Sequence, residues 1–256
     1  MIIKTNKPDL GGTAPLSAFK TAKKLSDFAV RNLGEIETDE KTKYYLDIGC
    51  GNGFITEFVT PHFDKTIGID ILDNELNKFR TRCRHDNKTE VLKMSADNMS
   101  FPNNYFSLVT AFEVLEHVGD LEKTVSEASR VTKRGGLIII SVPQILFPFE
   151  NHGVRIGNKI IRKKILFLPY IPALHRKISI ARVFSSHQID KIFTGRGFEV
   201  VGKPLYIAPQ FERNGANGKS WENKLRFTRN ILDKVASLPV LQRLVGVSVL
   251  KVYRKK

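Results

Sequence analysis

Only two cysteines, Cys50 and Cys83, occur in 256 residues. That is too few for a disulfide framework and places the chain, by expectation, in a reducing compartment, the cytoplasm. Long apolar runs are missing too. No stretch approaches the roughly 18 consecutive apolar residues of a spanning helix, which argues against an integral membrane protein and leaves peripheral attachment open. The opening MIIKTNKPDLGGTAPL has a lysine or proline every few positions and no apolar signal-peptide core, so the mature protein is expected to start at Met1. No internal repeat of 20–50 residues is apparent, which disfavours a solenoid or propeller.

Acidic residues are scarce at one end only. Residues 151–256 hold 22 Lys+Arg against 5 Asp+Glu, whereas 46–150 hold 11 against 15 and 1–45 hold 8 against 6. The carboxyl-terminal part therefore carries the whole net charge of +15. Such asymmetry implies an anionic partner, either nucleic acid or an anionic membrane surface, with a merely solubilising surface as the plain alternative.

What is present is alternation. Short apolar, β-branched runs at 44–49, 66–70, 90–95, 106–112 and 137–142 are separated by helical patterns near 53–60, 74–84 and 119–132. Further strands are expected near 198–207 and 246–254, and an amphipathic helix over 15–33. The sequence KRGG after residue 132 reads as a helix stop. This is the pattern of a doubly wound α/β domain with a mainly parallel sheet. One domain over 1–256 is expected, interrupted by two basic inserts. The first, 144–184, contains ten largely apolar residues flanked by basic triplets, and the second, 208–245, contains an amphipathic helix candidate, KSWENKLRFTRNILDKVASL.

The stretch LDIGCGNGFIT places Gly49, Gly51 and Gly53 directly behind the first strand. Glycine at that density lets something approach the backbone, and a strand-to-helix turn offers N–H groups to a nucleotide-like ligand. Phe54 stands where a dinucleotide fingerprint has its third glycine, which weakens a nicotinamide or flavin reading. Asp70, at the end of the second strand, can accept from both ribose hydroxyls, and Asp97, after the third, from an adenine amino group. Either could instead cap a helix.

The runs DIGCGNG (47–53), GID (68–70), SADNMSFP (95–102), EVLEHV (113–118) and RVTKRGGLIIISVP (130–143) resemble class I S-adenosylmethionine-dependent methyltransferases, nearest the small-molecule branch of quinone biosynthesis. The likeness is strong over about 44–143, weaker over 185–207, and hardly touches the inserts. It implies a Rossmann-like seven-stranded sheet with an antiparallel last strand. It also implies S-adenosylmethionine held by Asp47 with Gly49, Gly51 and Gly53 at the methionine end, by Asp70 at the ribose, and by Asp97 with the Asn98 backbone at the adenine.

Methyl transfer from a sulfonium needs alignment, exclusion of water and, for some acceptors, removal of a proton. Glu113, Glu116 and His117 follow the fourth strand. In the related ubiquinone-pathway O-methyltransferases a matching E-x-x-E-H is implicated in magnesium binding, so these three are candidate Mg2+ ligands. Glu113 and His117 are also candidate catalytic groups, His117 as a base, and the same residues could simply start a helix. His152 is a further candidate at the acceptor pocket. His187, in SSHQIDKIF, reads as a capping or surface residue, and His175 lies at the edge of the apolar insert with no catalytic role expected. Cys50 reads as packing within the loop.

The leading expectation is methylation, at oxygen or carbon, of a small apolar or lipid-linked acceptor, with 144–184 as a lid able to touch an anionic membrane. An RNA methyltransferase is the alternative. Against it, the fourth strand ends in Ala-Phe-Glu rather than the Asn/Asp-Pro-Pro-Tyr/Phe used on base amino groups, and no RNA-binding motif is visible. A non-catalytic binding protein is the third reading.

Overall fold

The computed structural model describes residues 16–39, 41–161, 165–207, 243 and 246–256. The helix candidate over 219–238 lies outside the described residues.

Seven strands form one sheet: β1 (Tyr44–Ile48), β2 (Lys65–Asp70), β3 (Thr89–Lys93), β4 (Phe106–Phe112), β5 (Thr132–Pro143), β10 (Phe198–Ile207) and β11 (Ser248–Lys255). Their order across the sheet is β10-β11-β5-β4-β1-β2-β3, mainly parallel with an antiparallel last strand, as expected. The centre consists of strands buried on both faces, which is why their sequences run apolar without alternation. Every residue of β4 is buried, and Val109 stands between Leu46 of β1 and Ile138 of β5. Helices α1 (Leu16–Arg31), α2 (Thr56–Val59), α3 (Asp73–Arg82), α4 (Leu121–Val131) and α6 (Ser186–Thr194) complete the α/β pattern.

Two boundaries depart from the sequence reading. KRGG is not a free loop after α4: β5 already begins at Thr132, and its pairing with β4 shifts between Phe106↔Thr132 and Leu108↔Leu137. The extra residues form a bulge around left-handed Gly135, with the Glu37 N–H donating to the Gly135 carbonyl at 2.9 Å. The helix expected over 53–60 is a single turn, Thr56–Val59, followed by a 3-10 turn at Thr60–His62. Gly53, at φ 76°, cannot be helical, and Pro61 lacks the N–H that would continue the turn.

The chain divides into two compact units. The first comprises Met1–Val142, Ser186–Pro204 and Lys251–Lys256. Within it, α6 is fixed to β11 by Lys251 Nζ and the Tyr253 hydroxyl, which donate to Asp190 at 2.5 and 2.9 Å, and by Phe193 stacked on Tyr253 at 4.4 Å. His187 is the exposed second residue of α6, in keeping with a surface role.

The second unit comprises Pro143–Ser185 and Leu205–Leu250. Its described part holds two small hairpins, β6 (Phe149–Glu150) with β9 (Ile165–Leu166) and β7 (Val154–Ile156) with β8 (Lys159–Ile161), and the helix α5 (Pro172–Ile178). At its centre is the buried Glu150 carboxylate. It accepts from the His152 N–H at 2.6 Å and from Ser179 Oγ at 2.9 Å, and pairs with His175 Nε2 at 2.5 Å. Burial alone would raise its pKa, but the hydrogen bonds from His152 and His175 prevail and hold the carboxyl well below the usual carboxylate range. His175, only 2% exposed, is thus a buried structural partner of Glu150. Among the described residues, no helix is long and apolar enough to cross a membrane.

Candidate active site

The site is built where β1, β2, β3 and β4 end. Asp47, near the end of β1, is buried at 3% exposure, with Oδ1 accepting from Thr110 Oγ1 at 2.7 Å and Oδ2 from Thr56 Oγ1 at 2.6 Å. A threonine hydroxyl has one proton to give. Because that of Thr110 goes to Asp47, the Tyr45 hydroxyl, 2.8 Å away, is the donor to Thr110. Burial first, and then the Asp47 charge, push the Tyr45 pKa well above its ordinary value, so the phenol stays a donor. Tyr45, Thr110, Asp47 and Thr56 form one polar chain linking β1, β4 and α2.

Sequence reasoning found Asp47 and missed the other three. The available signal was a polar residue, Thr110, inside the otherwise buried apolar strand FSLVTAF. Thr110→Val keeps the shape but removes one donor to Asp47 and the acceptor of Tyr45. It is expected to destabilise the protein by about 1–3 kcal/mol per group stranded. Thermal unfolding checks this, and an unchanged melting temperature would show that the chain contributes nothing.

Gly49, Gly51 and Gly53 all have left-handed backbone, with φ of 66°, 54° and 76°. The Gly51 N–H donates to Asp70 Oδ2 at 2.9 Å, while Asp70 Oδ1 accepts from the N–H groups of Ile71 at 2.7 Å and Leu72 at 3.1 Å. Asp70, 5% exposed, therefore ties the glycine loop to the start of α3. The loop glycines do not all serve the same approach. At Gly53 a Cβ would lie 2.0 Å from Phe79 Cδ2, and at Gly68 one would lie 2.5 Å from Phe79 Cε1. The group pressed against Gly53 is thus the Phe79 ring of α3, packed in a buried cluster with Cys50, Leu76 and Val91. The Cβ side of Gly53 is thus taken by Phe79, and the same cluster gives Cys50 its packing role.

Asp97 and Asn98 lie in the turn after β3. Ser95 Oγ donates to Asp97 Oδ1 at 2.5 Å and the Asn98 N–H to the Ser95 carbonyl at 3.2 Å. Glu113 to His117 form a turn between β4 and α4, and no helix starts there: α4 begins at Leu121, capped by Asp120, whose Oδ1 accepts from the Lys123 N–H at 3.0 Å. Glu113 is itself left-handed at φ 53°, a costly conformation for a side chain with a Cβ, and its carboxylate accepts from Ser141 Oγ at 2.8 Å. Glu116 is buried, with Oε1 3.6 Å from His117 Nε2. The structure thus brings Glu116 and His117 side by side and turns Glu113 towards β5. His152 belongs to the second unit, where its Nδ1 is 3.4 Å from Glu150 Oε1.

Residues 46–140 match the family described as Methyltransferase domain. Ubiquinone biosynthesis O-methyltransferase of Nitrosomonas europaea is 26% identical over 129 residues, covering 50% of this chain and 55% of that protein. The protein of the same name from Methylococcus capsulatus is 33% identical over 99 residues, covering 38% of this chain and 41% of that one. The chain thus spans about half the length, or less, of the curated relatives it matches. The crystal structure of an S-adenosylmethionine-dependent methyltransferase from Mesorhizobium loti superimposes with a TM-score of 0.60 at 14% identity, over 91% of this chain and 100% of that one. A likeness at that identity concerns the fold alone.

Proposed function

Because residues 46–140 are a class I S-adenosylmethionine-dependent methyltransferase domain, we propose that the protein methylates a small apolar or lipid-linked acceptor at oxygen or carbon. When bound, S-adenosylmethionine supplies a methyl group on a sulfonium that leaves as a neutral thioether under in-line attack. The residues present fit this cofactor: three left-handed glycines bare the backbone after β1, and the buried Asp70 carboxylate closes β2 beside them. Gly49 and Gly51 would face the methionine end and Asp70 the ribose, with Asp97 and the Asn98 backbone at the adenine. Asp47 acts by holding the loop through Thr56 and Thr110. Gly53 acts by admitting Phe79.

His117 is the base we assign to an acceptor hydroxyl, taking its proton on the imidazole while the neighbouring Glu116 carboxylate stabilises the imidazolium. His152, beside Glu150, is the second candidate base. For Mg2+, Glu113, Glu116 and His117 stay the proposed ligand set: Glu113 accepts from Ser141 through one oxygen, and a carboxylate has a second with which to coordinate.

One observation carries the choice of acceptor. In the second unit Leu166, Phe167, Tyr170, Ile171 and Leu174 are 42–55% exposed on β9, the turn after it and α5. The sequence of residues 143–185 contains eight Lys+Arg and one carboxylate, the buried Glu150. Phe167 is left-handed at φ 62° and stacks on Tyr170 at 6.0 Å, so a bulky apolar side chain stands outward on strained backbone. An apolar edge among cations suits the interface of an anionic bilayer, where a lipid-linked acceptor resides. This reading makes the protein a peripheral membrane enzyme of the cytoplasm.

Phe167→Ser with Tyr170→Ser removes apolar contact and leaves every cation in place. Flotation with vesicles containing anionic lipid is expected to recover the unaltered protein in a salt-sensitive way and to lose most of the double variant. Retention of the variant on vesicles would dismiss the apolar edge. Tight, salt-steep binding of RNA with no vesicle association would favour the RNA reading instead.

A further inference from the structure

The turn that carries Asp97 and Asn98 is gripped from α4. All five N–H donors of Arg130 are used, three on the segment after Asn98 and two on Glu127 of the same helix. Nε donates to Glu127 Oε1 at 2.7 Å. One terminal nitrogen donates to the Met99 carbonyl at 2.7 Å and to Glu127 Oε2 at 2.8 Å, and the other to the Phe101 carbonyl at 2.6 Å and Asn103 Oδ1 at 3.0 Å. Glu127 Oε2 also accepts from the Met99 N–H at 2.8 Å. Both backbone groups of Met99 are therefore held, one by each member of a bidentate pair.

The segment is pinned at its side chains as well. Met99 is 4% exposed and the Phe101 ring meets Phe106 edge-on at 5.1 Å. The hydrogen bond from Arg130 is the main reason the Glu127 carboxyl lies below its ordinary range, so the pair is charged at neutral pH. A connection of this length is ordinarily mobile. Here the fixed residue, Met99, stands two places from Asp97.

We propose that Arg130 and Glu127 are positioning residues for the purine end of the cofactor. By fixing residues 99–103 they hold the Asp97 carboxylate where it accepts from the adenine 6-amino group, and so set the preference for adenine over a 6-oxo purine. The inference rests on the reading of Asp97 as the adenine acceptor. Neither residue touches the cofactor in this account; both act through the turn. Lysine could not replace Arg130, because a single ammonium cannot reach acceptors spread across a planar fork.

The test is calorimetric binding of S-adenosylhomocysteine and S-inosylhomocysteine to the full chain and to its Asp97→Ala, Arg130→Gln and Asp97→Ala/Arg130→Gln variants. The unaltered protein is expected to prefer the adenine compound by about tenfold or more, because a site built to receive a donor rejects the analogue lacking it. Arg130→Gln should reduce that preference to within about threefold, and should add little to Asp97→Ala, as coupled residues do. Glu127→Gln, which keeps the shape and one acceptor, should give an intermediate loss and serves if Arg130→Gln folds poorly. A lower melting temperature with the preference intact in both single α4 variants would overturn the inference, leaving the pair purely structural. Absence of any preference in the unaltered protein would instead overturn the reading of Asp97, and the inference with it.

Discussion

Gly53→Ala is expected to cripple both folding and cofactor binding. Its φ of 76° costs an alanine about 1–2 kcal/mol. The added methyl would also stand 2.0 Å from the Phe79 ring, and overpacking of that kind typically costs about 1–3 kcal/mol more. Phe79 has little room to retreat, because it is 1% exposed within its cluster with Leu76, Val91 and Cys50. Melting is expected to drop by on the order of 10 °C. Gly34→Ala is the control: its Cβ would meet nothing within 4 Å, and its backbone is not left-handed. Equal, small effects at the two glycines in thermal unfolding would mean that the loop and α3 are not packed as described.

Asp70→Ala should give the largest loss of cofactor affinity. A carboxylate that receives the ribose hydroxyls contributes hydrogen bonds to a charged group, about 1.5–3 kcal/mol, which is roughly 10- to 100-fold in Kd. The same substitution also removes the acceptor of the Gly51, Ile71 and Leu72 N–H groups, so loop geometry is lost along with the contact. Asp70→Asn separates the two effects. It keeps an acceptor oxygen for the backbone and most of the melting temperature, but offers the ribose a single acceptor. Titration with S-adenosylmethionine should show both variants weakened, alanine more so, and equal affinity in all three proteins would move the ribose site elsewhere.

The sheet was legible because its central strands are buried on both faces and therefore spell continuous apolar runs. Leu46, Val109 and Ile138 lie side by side for the same reason that they stand out in the sequence. The glycine loop was legible as a loop, but not which partner each glycine admits. Phe79 lies 26 positions beyond Gly53, and only the packing of α3 on β2 brings them together. KRGG gave a sound stop signal for α4, yet pairing with β4 drew the segment into β5 as a bulge, a tertiary effect that no local pattern encodes. Glu150 was passed over. Its partners His175 and Ser179 are 25 and 29 residues away, and a lone glutamate two places ahead of His152 carries no sign that it will be buried. The clamp of Arg130 was hidden likewise, because three of its acceptors are two backbone carbonyls and the side chain of Asn103.

The most direct test follows the methyl group. The purified protein would be incubated with S-adenosylmethionine labelled on that methyl, together with an extract of total lipid and, separately, total RNA. Label is expected in an organic-phase product in amounts equal to the S-adenosylhomocysteine formed, with none in RNA and about 10- to 100-fold less from the Asp70→Ala protein at subsaturating cofactor. Cofactor binding without label in any lipid-phase species, or label appearing in RNA, would contradict the account.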